Sequence, residues 1–228
     1  WEELDAILVE TAVAATTDER RIDLWMRAAK LALDHAGDPE GGERKLRLIL
    51  EVNDRHEETL QHLDRIMTRG ERWEELEPLL IRQVESVAYD EERCEVLMRL
   101  GRLYRERLGR SEDARQTFER LLSLEDNHRP ALQELETLQR DARDFEALFE
   151  TLERLAETAD DRVQRASILT EMAELSEREL RDESGAIRLW QEALELEIRQ
   201  NAGPIEAIPL GHLHRANPEM QNRHVLLN

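Results

Sequence analysis

Trp73-Glu74-Glu75-Leu76-Glu77-Pro78-Leu79-Leu80 restates Trp1-Glu2-Glu3-Leu4-Asp5-Ala6-Ile7-Leu8, and Phe145-Glu146-Ala147-Leu148 follows in turn. The offsets are 73 − 1 = 72 and 145 − 73 = 72 residues. Within each stretch the apolar positions lie three and four apart, which places Trp1, Leu4, Leu8, then Trp73, Leu76, Leu80, then Phe145, Leu148, Leu152 on one face of a helix. A second helix carries Leu24, Ala28, Leu31, then Val96, Leu100, Leu103, then Ile168, Met172, Leu175, and opens near Asp18 and Asp90, residue types that cap helices well. A third repeats Leu46, Ile49, Leu50 as Phe118, Leu121, Leu122 and as Trp190, Ala193, Leu194. A fourth carries Leu60, Leu63, Ile66 and then Leu132, Leu135, Leu138. A chain that repeats at a fixed period stacks each unit on its nearest neighbours, and the long surfaces so formed imply a protein-binding scaffold.

No stretch alternates with period two over β-branched and aromatic residues, and Gly37, Pro39, Gly70, Gly109 and Pro130 stand at the expected turns, so the fold is read as all-α. Pro78 falls inside the fifth helix, expected over Arg72 to Val87, where it removes one amide donor. Small residues recur as well: Ala29, Gly101 and Ala173 share one position, and Gly42, Ala114 and Ala186 another. Glycine inside a helix costs roughly 0.5–1 kcal/mol relative to alanine, so Gly101 implies a close helix crossing.

The hairpin running Leu97, Leu100, Gly101, Tyr104, Ala114, Phe118, Leu121 resembles a tetratricopeptide repeat with one extra residue in its turn, and Leu169, Met172, Ala173, Ala186, Trp190, Ala193 resembles it again. The alternate hairpins, read as beginning at Trp73, Leu76, Leu80, keep the large-aromatic and leucine signature but have Glu77 where the small residue belongs. Half-a-tetratricopeptide repeats are the near alternative. The resemblance covers roughly residues 1 to 200. It implies a right-handed α-solenoid of about six antiparallel hairpins in copies 1–72, 73–144 and 145–200, whose concave face binds peptides or proteins.

Composition agrees with thin Leu/Ala packing: the 228 residues are 40% hydrophobic and 37% charged but only 4% aromatic. Net charge is 32 − 52 = −20, which argues against nucleic acid as a partner because that affinity depends on Lys and Arg displacing counterions. The acidic excess is read chiefly as keeping an extended surface in solution. No apolar run approaches the ~20 residues of a membrane span, and membrane insertion is not expected. The chain lacks an initiator Met and is read as part of a longer, cytoplasmic protein.

Cys94 is read as a small core residue, since Ile22 and Ala166 are its equivalents. The histidines, including His212 and His214, are too scattered to suggest a metal, and neither a phosphate loop nor a nucleophile motif is present. No cofactor, metal or catalytic residue is expected, and the chain is not expected to be an enzyme. Arg21, Arg93 and Arg165 recur in register and are read as structural, pairing with carboxylates of a neighbouring hairpin. Partner contacts are expected at Met26, Lys30, Met98, Arg102, Arg105, Glu174 and Glu177, a set whose basic and flexible apolar members suit an acidic or carboxylate-bearing peptide. After about residue 197 the register fails at Gly203, Pro204, Pro209, Gly211 and Pro218, so residues 201–228 are read as an irregular cap or tail. A second functional reading is a self-assembling segment associating through the terminal repeats at Trp1, Leu4 and Leu8.

Overall fold

The computed structural model describes residues 1–201, and the tail expectation for 201–228 lies outside the described residues apart from Asn201, which ends a helix. Eleven α-helices follow one another in the described part: α1 Glu2–Val13, α2 Asp18–Leu31, α3 Pro39–Val52, α4 Glu57–Arg69, α5 Trp73–Ser86, α6 Asp90–Glu106, α7 Ser111–Leu122, α8 Arg129–Ala142, α9 Phe145–Glu157, α10 Arg162–Leu175 and α11 Glu183–Asn201. Among the described residues there is no strand. The helices pack as two units, one from Trp1 to Arg154 and one from Leu155 onward.

In the first unit consecutive helices from α1 to α8 pack on one another, and side-chain bridges join every second helix. Lys45 reaches Asp5 from α3 to α1 at 3.1 Å, and Arg72 at the entry to α5 holds Glu43 of α3 with two bonds of 2.7 and 3.0 Å. Lys30 pairs with Glu58 from α2 to α4 at 2.6 Å, Arg99 with Asp64 from α6 to α4 at 2.7 Å, and Arg102 with Glu134 from α6 to α8 at 2.8 Å. Odd and even helices therefore form two layers. Between them lie the fully buried Leu46, Ile49, Leu60, Leu63, Leu80, Leu97, Phe118, Leu121 and Leu132. Each such side chain stabilises the fold by ~1.5–3 kcal/mol relative to an exposed one.

The repeat is written in contacts as well as in residue types. Trp1 stacks on His35, and Trp73 lies under the Arg107 guanidinium, the same two positions 72 residues on. Arg21 donates to the Ala15 carbonyl and Arg93 to the Val87 carbonyl, again in register, and each also pairs with the aspartate three residues before it, Asp18 or Asp90. These arginines tie down the turn that enters their own helix. The expected pairing with a neighbouring hairpin is not made by any of the three: Arg165 meets Glu192 of α11, the other helix of its own hairpin, at 2.8 Å. The caps are corrected likewise: Thr17 accepts from the Arg20 amide, Tyr89 makes no side-chain cap, and Asp18 and Asp90 sit one residue later, where their charge faces the helix dipole and the arginine.

The close crossing at Gly101 is present, with Phe118 of α7 fully buried against it. The extra turn residue is accommodated by a widened last turn, a π turn over Ala32–Ala36 and again over Ser176–Leu180, each closed by an amide reaching back six residues. The following residue is left-handed in every copy: Gly37, Gly109 and Arg181 have φ of 63°, 65° and 57°. α5 runs unbroken through Pro78, which is exposed. In α4 the buried set is Leu60, Leu63 and Met67 rather than Ile66, because the sevenfold step keeps Met67 facing the layer interior while Ile66 is half-buried. Trp73 opens a helix that packs back on α4 across the short turn 70–72, and Glu77 takes a polar part: it accepts from Tyr104 Oη at 2.9 Å and from Arg110 at 2.9 Å.

The second unit contains α10 and α11 crossing at Ala173 and Ala186, both buried. Asp161 caps α10 by accepting from the Gln164 amide, and the Asp182 side chain accepts from Gly185 at the start of α11.

Candidate partner-binding face

The even layer of the first unit carries two neighbouring grooves, one on each side of α4. Between α2 and α4 a groove of about 540 Å³ is lined by Glu19, Ile22, Asp23, Met26, Arg27, Lys30, Asn53, His56 and Glu58. α2 reaches it because its buried Leu24, Ala28 and Leu31 turn Asp23, Arg27 and Lys30 outward. His56 Nδ1 caps α4 by accepting from the Thr59 amide at 3.3 Å, which fixes the groove's far edge. The Lys30 ammonium bonded to Glu58 holds that carboxyl below its usual value, whereas burial pushes the His62 imidazole down, with Lys30 acting in the same direction.

Between α4 and α6 a smaller groove of about 370 Å³ is lined by Gln61, Asp64, Arg65, Thr68, Arg69 and Arg99. Asp64 is buried, and Arg99 grips both its oxygens at 2.7 Å while Thr68 Oγ1 donates at 3.1 Å. That bond to Asp64 raises the Arg99 guanidinium further above its ordinary range. Arg65 and Arg69, one helical turn apart and both exposed, make no ion pair among the described residues.

The sequence-derived contacts divide accordingly. Met26 and Lys30 come together at the first groove, Met26 with only 6% of its surface exposed. Arg102 and Arg105 converge on opposite oxygens of the buried Glu134 at 2.8 Å each, and Met98 is buried beside them on the same helix. Glu174, in the second unit, pairs with Arg178 at 3.2 Å, and Glu177 is exposed there. Gln61, Arg65, Arg69 and Arg99 were missed by the sequence reading. Their signal was available: two arginines four apart on the side of α4 opposite Leu60 and Leu63 mark a charged face.

Elsewhere Cys94 is buried, and burial pushes its thiol up, away from the thiolate. Burial, with the bond to Glu77, pushes the Tyr104 hydroxyl up to about 12. Among the described residues no three His, Cys, Asp or Glu side chains are grouped as metal ligands, and no helix is long and apolar enough to cross a membrane.

No family model matches the chain, and no curated protein matches it. Solved structures of helical-repeat proteins do. A MamA structure is 15% identical over 82% of this chain and 98% of its own, at a TM-score of 0.48. YrrB, described as a TPR protein with an unusual peptide-binding site, is 11% identical over 77% of this chain and 86% of its own, at 0.46. PilF of Pseudomonas aeruginosa is 18% identical over 89% and 99%, at 0.44. At these scores the likeness carries no weight beyond the helical architecture already described. The hairpins, their small-over-large crossings and their repeated turns stand on the chain's own geometry.

Proposed function

We propose that this chain is a non-catalytic interaction scaffold that takes an extended peptide, or a peptide-like segment of a protein, on the free face of its even helices. This is the face that the tetratricopeptide resemblance makes concave. The observation that carries the reading is the pair of adjacent grooves flanking α4, both rich in polar groups and both open beside a layer bridged by ion pairs. Met26, Lys30, Met98, Arg102 and Arg105 border or support that face, and Glu174 and Glu177 are proposed as contacts of the second unit by itself. The net charge of −20 disfavours nucleic acid as the occupant. The host compartment is proposed to be the cytoplasm.

Photo-crosslinking amino acids at Gln61 and Arg102, on the even layer, are compared with the same residue at Arg44 and Arg120, on the odd layer. Partners covalently captured from the first pair and not from the second support the face. Capture from the odd layer alone removes it.

A second reading, self-assembly through the terminal repeat, is favoured by exposed apolar side chains on α1 and before it, where Trp1, Leu4 and Ile7 are 66%, 45% and 59% exposed. Sedimentation velocity across a concentration series separates the two. A mass that rises with concentration and returns to monomer in Leu4→Glu/Ile7→Glu selects assembly.

A further inference from the structure

The two grooves flanking α4 differ in sign. In the α2/α4 groove the lining carboxylates Glu19, Asp23 and Glu58 outnumber Arg27 and Lys30, giving 2 − 3 = −1, and the floor is apolar at Ile22 and Met26. Asp23 is occupied by Arg20 and Arg27, and Glu58 by Lys30, whereas Glu19 has no ion-pair partner among the described residues. In the α4/α6 groove Arg65, Arg69 and Arg99 face one carboxylate, Asp64, giving 3 − 1 = +2. Both Asp64 oxygens are consumed by Arg99, so two guanidinium groups stand unneutralised in a chain that has 52 acidic residues against 32 basic ones. Like charges one turn apart on a helix repel, and their planar forks are shaped for a carboxylate.

We infer that this face reads charge order along its ligand, seating an apolar side chain with a basic neighbour between α2 and α4 and an acidic side chain between α4 and α6. The inference rests on the scaffold reading above and specifies what the face selects. Glu58 lies in the first turn of α4 and Arg65 and Arg69 two and three turns on, ~10–16 Å further along its axis, and together with the ~8–10 Å between packed helices this puts the anchors about five residues apart in an extended chain advancing ~3.3 Å per residue. A uniformly acidic partner does not fit, because the field of a chain at −20 repels it and only the α4/α6 groove offsets that field locally. The ligand is a segment of mixed charge with one acidic anchor.

The test uses the full chain and a fluorescein-labelled peptide carrying Leu-Lys-Ser-Ser-Ser-Ser-Glu in a Gly-Ser background, beside one with Lys and Glu exchanged, read by fluorescence anisotropy at low salt. The matched peptide binds more tightly than the exchanged one. Arg65→Glu/Arg69→Glu, two exposed positions whose change leaves the circular-dichroism melt intact, weakens the matched peptide by about tenfold, the scale of one charge-assisted contact, and a peptide with Lys in place of its Glu recovers the loss. Equal binding of matched and exchanged peptides, an unaffected double variant, or no binding of either peptide overturns charge reading. If crosslinks from Gln61 to a captured partner persist in those cases, the scaffold reading survives the failure of this one.

Discussion

A methyl group on Gly101 would overlap Phe118 Cε1, part of a ring with no exposed surface. At the equivalent positions the chain has Ala29 with Leu46 and Ala173 with Trp190; only the second copy buries its ring fully, Phe118 being 0% and Trp190 39% exposed, and only there is the Cβ missing. Gly101→Leu should lower stability by ~1–3 kcal/mol through overpacking, read as an earlier urea midpoint. Gly101→Ala combined with Phe118→Leu recreates the Ala29/Leu46 pair, and it should unfold later than Gly101→Ala alone. If the two midpoints coincide, the crossing is not what the glycine serves. Arg181 supplies the opposite case. It occupies the left-handed turn position where Gly37 and Gly109 stand in the other copies, with φ of 57°. Arg181→Gly should raise the melting midpoint, by about 0.5–1 kcal/mol of relieved backbone strain, and a lowered midpoint would mean that Arg181 has a contact worth more than its strain.

At the scale of the element, the even helices are joined where titratable groups meet. Glu58 is held below its free value by Lys30, so its contribution is complete above the ordinary glutamate range and is lost as pH falls through the depressed value. His62, pushed down by burial, resists protonation in the folded chain, so its contribution is also full above the free imidazole value and is lost as pH falls below it. Both signs agree: the melting midpoint should decline from pH 7.5 toward pH 3, first below the free imidazole value and again below the ordinary glutamate value, and His62→Gln should flatten the first part of that decline and Lys30→Met the second. A midpoint that holds constant over this range would remove both groups from the account. Neither group was singled out in the sequence, and the reason is physical. Helical period locates Leu60 and Leu63 and hence the helix, but which charged neighbour Lys30 meets depends on a helix 28 residues away. The same limit explains Arg21 and Arg93, whose recurrence was legible while their carbonyl partners were not, and Glu77, whose departure from the small-residue pattern is intelligible only with Tyr104 and Arg110 in place. The helices, their turns and the Gly101 crossing could be read because they follow from period and from elements adjacent in the chain; the α4/α6 groove could not, because it lies between helices that are not chain neighbours.

For the molecule as a whole, a repeat array stores stability in each helix and in its two neighbours, with little beyond them. α1 and α5 are the same helix by register, yet their environments differ: Leu76 and Leu79 are 3% and 8% exposed because α4 covers them, while Leu4 and Ile7 at the same positions are 45% and 59% exposed. Uncovering two large side chains removes ~1.5–3 kcal/mol each from the free energy holding the helix closed. Hydrogen exchange should therefore open α1 by local fraying, with amides of Ala6 to Glu10 exchanging well ahead of Pro78's neighbours Leu79 to Arg82, although the two segments have nearly the same sequence pattern. The comparison is internal to one molecule and needs no reference protein. Equal protection in dilute solution would mean that the α1 face is covered, and protection that rises with protein concentration would identify the cover as a second copy of the chain.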